Sequence, residues 1–495
     1  MDVARTPIFV SSKRSVDSTV LQVALMFLLL GAGIAFISSI IQRSLFSTIF
    51  LLCVVSVSGL VICRGTETKL KDPSLNILGY FWLLKLSLTL LLLYVGWMPQ
   101  LDPSSASWGY DPQRYYFQAK ELLDNHWSTE FLNLNYVGIL YFYSAFFALF
   151  GHNPVIPVLV NAFVTLVATL YLVKVGYEIK GQRGPRDWTL ALALFLPEML
   201  WFDVMTSRET LVAALLLFAT LTIGRYLART APLSLQYVLI FVGLSVVAIA
   251  AVRTSMLVPV CISTVLMVML LRTQRRQGGA KKIVLTIAGA AALMVGPIIT
   301  GYLGGYEFDI GQSLLRVTSA SENISLITST GWSENSIGLL LMPEGMFQSV
   351  LFLPPRMLLY LVAPLPNFYV HIGELVTGSW GAWQQLLTLL SAMINVLAAP
   401  FVFASLVQAI RMRDQDAAPL MLHIAYWVTF VAIAGGNLII HDRYRVMASL
   451  MFWGCAWLGA TTCSRALIKK AYLFWYGLLT IGALFYLTYK SGVIG

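Results

Sequence analysis

The chain has 495 residues, of which 58% are hydrophobic and 11% charged, with a mean hydropathy of +0.77. Soluble domains carry about 25% charged residues, so the composition excludes a soluble enzyme and describes a polytopic membrane protein. The formal net charge of +10 does not imply a nucleic-acid partner, because Lys and Arg gather in short loops between apolar runs, as orientation signals do.

The first apolar run, 19–41, is too long for a signal-peptide core and lacks a cleavage site, so it reads as a retained span. Further spans are expected at 45–63, 75–97, 154–174, 189–203, 210–227, 235–252, 254–271, 283–304, 386–410, 419–440, 446–463 and 471–490. That makes about thirteen, each near the length needed to cross about 30 Å of hydrocarbon. The expected fold is all-α, with an N-terminal three-span region (1–97), a first outer loop (98–153) and a central transmembrane region (154–304). A second outer loop (305–385) and a C-terminal transmembrane region (386–495) follow. Residues 137–151 are apolar but short, and read as a juxtamembrane helix. With the N-terminus cytoplasmic, two thirds of the 33 basic residues fall inside, including the cluster Arg272, Arg275, Arg276, Lys281 and Lys282. Counting 137–151 as a span would invert that bias.

Charge returns between 98 and 135, where Asp102, Asp111, Arg114, Lys120, Glu121, Asp124, His126 and Glu130 sit between apolar segments. Asp111 suits a helix N-cap and Pro112 the first helical position, so a helix is expected to begin there. Tyr115, Ala119, Leu122 and Leu123 fall on one stripe at helical spacing, with most of the charges off it. This predicts an amphipathic helix on the membrane surface with a carboxylate at its mouth. The later outer segment, 305–385, opens polar and continues through pieces broken by Pro343, Pro354, Pro355, Pro364 and Pro366. Those pieces are expected to be interfacial or re-entrant helices, with two extra spans within 336–366 as the alternative.

Three other outer positions hold ionisable groups: the turn with Asp203, Arg208 and Glu209; Arg253 in a tight turn; and His441, Asp442, Arg443 and Arg445 after the eleventh span. Ionisable groups at such depths are costly unless paired or wet, which makes them functional candidates. Each also has a plain reading. Asp111 could cap a helix, Arg208 and Glu209 could pair, Arg253 could snorkel, and Arg443 with Arg445 could anchor the interface. Lys85, midway along the third span, more readily pairs with a carboxylate or snorkels than acts. His423 and Glu198 read as packing or capping groups. Cys53, Cys63, Cys261, Cys455 and Cys463 lie in or at the ends of apolar runs with no metal spacing or disulfide framework, and read as core hydrophobes. Taken together, one carboxylate facing several arginines suits a reaction at a phosphate-linked lipid. Arginine binds phosphate oxygens bidentately and stabilises charge on a departing phosphate, and a carboxylate can accept the proton of an attacking hydroxyl.

Asp111, Tyr115 and Ala119 just after a span, with His126 and Trp127 beyond, resemble the first outer loop of the GT-C membrane glycosyltransferases. The likeness is to the aminoarabinose transferase and protein mannosyltransferase type, and continues through residues 140–151, Pro154, Pro197 and the Ser207 to Glu209 turn. It runs best over residues 98 to about 260. The sequence departs from the family pattern in having two extra spans before the Asp111 loop, Pro112 where a second acid is usual, and Val446 and Met447 after the late Arg-Tyr-Arg.

The resemblance implies a polyprenyl-phosphate-linked sugar as donor and a glycan, lipid or protein as acceptor. It implies Asp111 as the base, Glu209 or Asp203 as a second acidic residue, and Arg253, Arg443 and Arg445 on the lipid phosphate. Arg208, Tyr115 and His441 complete the candidate site. It suggests the bacterial inner membrane, with the active site outside. No cofactor is assigned, although one carboxylate could join a Mg²⁺ or Mn²⁺ site completed by substrate phosphate. The first rival is a Wzy-type polysaccharide polymerase or ligase, which would depend on Arg253, Arg316, Arg356, Arg443 and Arg445. The second is a lipid or polysaccharide transporter, which predicts charges deep in several spans and a repeated half.

Overall fold

A computed structural model describes residues 75–94, 111–128, 137–180, 188–271, 341, 346–362, 380–413, 415–436 and 442–490. The described residues are helical, with no strand among them. Six stretches are long and apolar enough to cross a membrane: Val155–Lys180, Glu209–Ala228, Leu235–Leu270, Ala382–Met412, Ala418–Gly435 and Arg465–Phe485. This is the architecture of an all-α integral membrane protein. The expected spans at 19–41, 45–63 and 283–304 lie outside the described residues.

In chain order the helices are α1 (Leu75–Leu92), α2 (Asp111–Asp124), α3 (Val137–Phe150), α4 (Val155–Lys180), α5 (Pro197–Asp203) and α6 (Glu209–Ala228). Then come α7 (Leu235–Arg253), α8 (Leu257–Leu270), α9 (Met346–Leu351), α10 (Leu353–Val362), α11 (Trp380–Met412), α12 (Ala418–Gly436), α13 (Asp442–Thr462) and α14 (Arg465–Lys490). Helices α9 and α10 are too short to cross. The amphipathic expectation for α2 meets its geometry: Tyr115, Ala119 and Leu122 are buried while Arg114, Glu121 and Asp124 are exposed. At 14 residues, α3 is about 21 Å long, short of a span. It pairs with α2, Ser144 Oγ donating to the Ala119 carbonyl at 2.7 Å and Tyr116 Oη to that of His152 at 2.5 Å.

The stretch Leu235–Leu270 would run about 54 Å as one straight helix, far more than a bilayer core. At Arg253 the backbone leaves the helix for φ −161°, ψ 86° and the chain doubles back. Arg253 thus lies beside Glu209, at the start of α6, while Met267 returns to within 3.3 Å of where a Cβ on Gly224 would sit, near the end of α6. The same alternation orders the rest. Helix α4 starts by the 203–208 turn, where Asn161 reaches the Met205 carbonyl, and ends where Glu178 meets Arg225. Helix α13 starts with Arg443 at Glu209 and descends to Trp457, under the Lys180 ammonium.

The middle of the bundle is set by burial. The cores of α4 and α6 are 78% and 72% buried, against 11% for α14, whose apolar surface faces outward. Pro400 sits inside α11, and a helical proline leaves the carbonyl four residues back without its donor. That carbonyl, of Val396, accepts from Trp475 Nε1 of α14 at 2.9 Å, so a backbone defect becomes the peg for a peripheral helix.

Helix α3 crosses α7 at Gly138, where an added Cβ would stand 2.3 Å from the Ala251 carbonyl oxygen. Gly138→Ala is expected to push these helices apart and lower stability by about 1–3 kcal/mol, as overpacking does. Gly477→Ala, with nothing within 4 Å, should gain about 0.5–1 kcal/mol of helix propensity. Thermal melts of both variants in detergent check the contrast.

Candidate functional site

The site is built from helix ends. Asp111 and Glu209 each stand in the first turn of a helix, α2 and α6, where the helix dipole favours a carboxylate. Arg253 closes α7 at its C-terminal end, where the dipole favours a cation. Arg443 is the exception, a cation in the first turn of α13, and two carboxylates offset that placement. Its Nη1 meets Asp111 Oδ2 at 2.5 Å, and its Nε donates to Glu209 Oε1. Arg208 Nε and Arg253 Nη1 approach the same Glu209 oxygen at 3.8 and 3.9 Å. The Arg253 guanidinium lies 4.8 Å over the Tyr444 ring, a cation–π contact.

The cluster is largely dry. Glu209 is fully buried, Arg208 and Arg253 nearly so, and Asp111 forms the half-open edge. Burial of Arg443 disfavours its charge, but Glu209 and Asp111 outweigh this and hold the guanidinium well above its ordinary pKa. Burial also pushes the Tyr115 phenol up; Arg208 opposes that shift, and Asp111 and Glu209 add to it, which places Tyr115 within the field of the cluster.

Asp111, Tyr115, Arg208, Glu209, Arg253 and Arg443 therefore share one site. Arg445 does not join them. Two positions along a helix turn the side chain by about 200°, so Arg445 points inward from α13 to Glu198 (2.8 Å), the Tyr360 carbonyl (3.0 Å) and Ser391 Oγ (3.1 Å). It ties α13 to α5, α10 and α11, which corrects its placement among the phosphate-facing arginines. Glu198, read as a packing group, is the other half of that ion pair. Arg356 is likewise committed inside, to the carbonyls of Ala434 (2.8 Å) and Leu341 (3.1 Å). His441 and Arg316 lie outside the described residues.

Of the two acids offered for the second acidic role, the structure puts Asp203 elsewhere. Its Oδ2 faces Lys85 Nζ at 2.5 Å, both side chains fully buried, and its Oδ1 accepts from Thr165 at 2.8 Å and Thr210 at 3.1 Å. This underpins the turn that carries Arg208 and Glu209. Asn161 Nδ2 donates to the Met205 carbonyl at 2.6 Å, and Tyr143 Oη is 2.7 Å from the Ser207 carbonyl and 2.8 Å from Asn161 Oδ1. These supporting residues were not singled out from sequence. Their signal was present in Asn161, Thr165 and Thr169, polar residues four apart on one face of an apolar span.

A divalent cation does not fit this cluster. Asp111 and Glu209 are both engaged by Arg443, and three guanidiniums repel a dication. Among the described residues no group of three His, Cys, Asp or Glu is placed to hold a metal. Comparison of the chain with protein families, with curated proteins and with solved structures finds no match.

Removing one partner of a buried ion pair strands the other charge, at a cost of about 3–5 kcal/mol. Lys85→Met is therefore expected to lower the melting temperature sharply. Lys85→Met with Asp203→Asn should recover most of the loss, since the amide oxygen can still accept from Thr165 and Thr210. Detergent melts of the single and double variants test this; equal losses in both would show that the pair is not what supports the turn.

Proposed function

We propose that the chain is a GT-C-like membrane glycosyltransferase that moves a sugar from a polyprenyl-phosphate donor to an acceptor hydroxyl on a glycan, lipid or protein. The observation that carries this reading is the convergence of three arginines and two carboxylates, from four separate parts of the chain, at one end of the bundle. Such a site suits a leaving group that departs as phosphate: guanidiniums stabilise the growing charge, and a carboxylate at the open edge takes up a proton.

In this mechanism the acceptor oxygen attacks the anomeric carbon and the bond from that carbon to the phosphate oxygen breaks. The electron pair leaves with polyprenyl phosphate, and the acceptor proton passes to Asp111. Arg443, Arg253 and Arg208 bind the phosphate, with Glu209 holding them in place. Tyr115 lies buried beside these groups; His441 belongs to the proposed site by sequence alone. The topology that goes with this is thirteen spans in the bacterial inner membrane, N-terminus inside and site outside. The polymerase reading would also need Arg356 and Arg445, whose guanidiniums are committed to internal partners.

The test is transfer by Asp111→Asn in proteoliposomes supplied with mixed polyprenyl-phosphate sugars, with folding matched to wild type. Turnover should fall by about 10²–10⁴-fold, the range for a lost general base, while donor binding persists. Unchanged turnover would reduce Asp111 to a structural residue and remove the basis for the reading.

A further inference from the structure

Arg443 stands between an inner and an outer carboxylate. Glu209, on one side, is fully buried, whereas the Asp111 side chain keeps 36% of its surface open and Arg443 itself 18%. An oxyanion arriving from outside therefore meets Arg443 on the flank that Asp111 covers. Asp111 Oδ2 holds Nη1 at 2.5 Å, a donor that one oxygen of a bidentate phosphate would use. A phosphate added beside Asp111 would compete for the same N–H and set two anions against each other in a partly dry site, where charges are weakly screened.

We infer that Asp111 is the exchangeable counter-ion of Arg443, and that a phosphate oxyanion binds by displacing it. The inference rests on the glycosyltransferase reading for the source of the phosphate, a polyprenyl phosphate headgroup. Asp111 then has two successive partners: the guanidinium before the ligand arrives, and the acceptor hydroxyl after it. The base is released by the event that delivers the leaving group. Glu209, with no exposed surface and three guanidiniums around it, stays in place throughout.

The test uses the full chain in lipid nanodiscs, titrated with a polyprenyl monophosphate, with the uncharged polyprenol and with inorganic phosphate. Asp111→Asn removes the competing charge and keeps a residue suited to a helix N-terminus. It is expected to bind the phosphate lipid roughly fivefold more tightly than wild type, the size of one partly exposed ion pair. Arg443→Gln should bind it more weakly, and polyprenol affinity should be the same in all three. A gain for inorganic phosphate without a gain for the lipid would support the exchange but assign it to free phosphate. If wild type binds and Asp111→Asn binds equally or more weakly, the exchange is overturned and the glycosyltransferase reading stands. If wild type binds neither phosphate compound, that reading falls and the inference with it. Asp111→Ser, which removes the same charge, decides the matter if the asparagine variant does not assemble.

Discussion

The guanidinium of Arg443 is the contact that ties the parts of the site to one another. It joins Asp111 and Glu209, which lie 332 and 234 residues away along the chain, and so holds together the ends of α2, α6 and α13. Its own position opposes the dipole of α13, and burial opposes its charge. The two carboxylates, Glu209 first, do most to reverse that balance. Electrostatics here does what no apolar contact could: it selects which helix ends meet, because a carboxylate and a guanidinium in a dry site tolerate few other neighbours.

The other buried ion pairs follow the same logic at different levels of the bundle. Lys85 and Asp203 join α1 to the turn before α6, Arg445 and Glu198 join α13 to α5, and Arg225 grips Glu178 through two hydrogen bonds of 2.6 and 2.5 Å at the far end. Such pairs add little net stability over well-packed apolar residues but are costly when halved. In a chain whose helices are apolar on nearly every face, packing alone leaves many arrangements close in energy. These pairs distinguish one arrangement from the rest.

What the sequence made legible, and what it did not, divides along the same line. The start of α2 and its buried stripe were readable because capping chemistry and the 3.6-residue period are local. The reversal at Arg253 was readable because a largely apolar stretch of 36 residues is too long to cross a bilayer once and is interrupted by a charge. The partner of Glu209 was not. Sequence adjacency offers Arg208, yet neighbouring residues diverge by about 100° around a helix, and Arg443 makes the close contact instead. Arg443 and Arg445 looked like one motif for the same reason and face opposite ways. Lys85 could be expected to find a carboxylate, but only the fold names Asp203. The Val396 carbonyl freed by Pro400 was predictable, and the Trp475 that takes it was not.

The Lys85–Asp203 pair also bears on biogenesis. In the proposed thirteen-span topology α1 crosses the membrane and leaves the ribosome well before α5, so Lys85 enters the bilayer without its counter-charge. A lysine at the centre of a spanning helix costs about 2.5–3.5 kcal/mol on insertion scales, offset by about 0.3–0.6 for each leucine around it. The leucine-rich α1 can be held in the bilayer on those terms, but as a lone helix it carries an unmet charge. Its retention becomes secure only when the segment bearing Asp203 arrives, so the order of synthesis and the closing of the core are chemically linked. An α1 that never meets Asp203 presents a charged lysine to lipid, a mark by which an incomplete protein differs from a finished one.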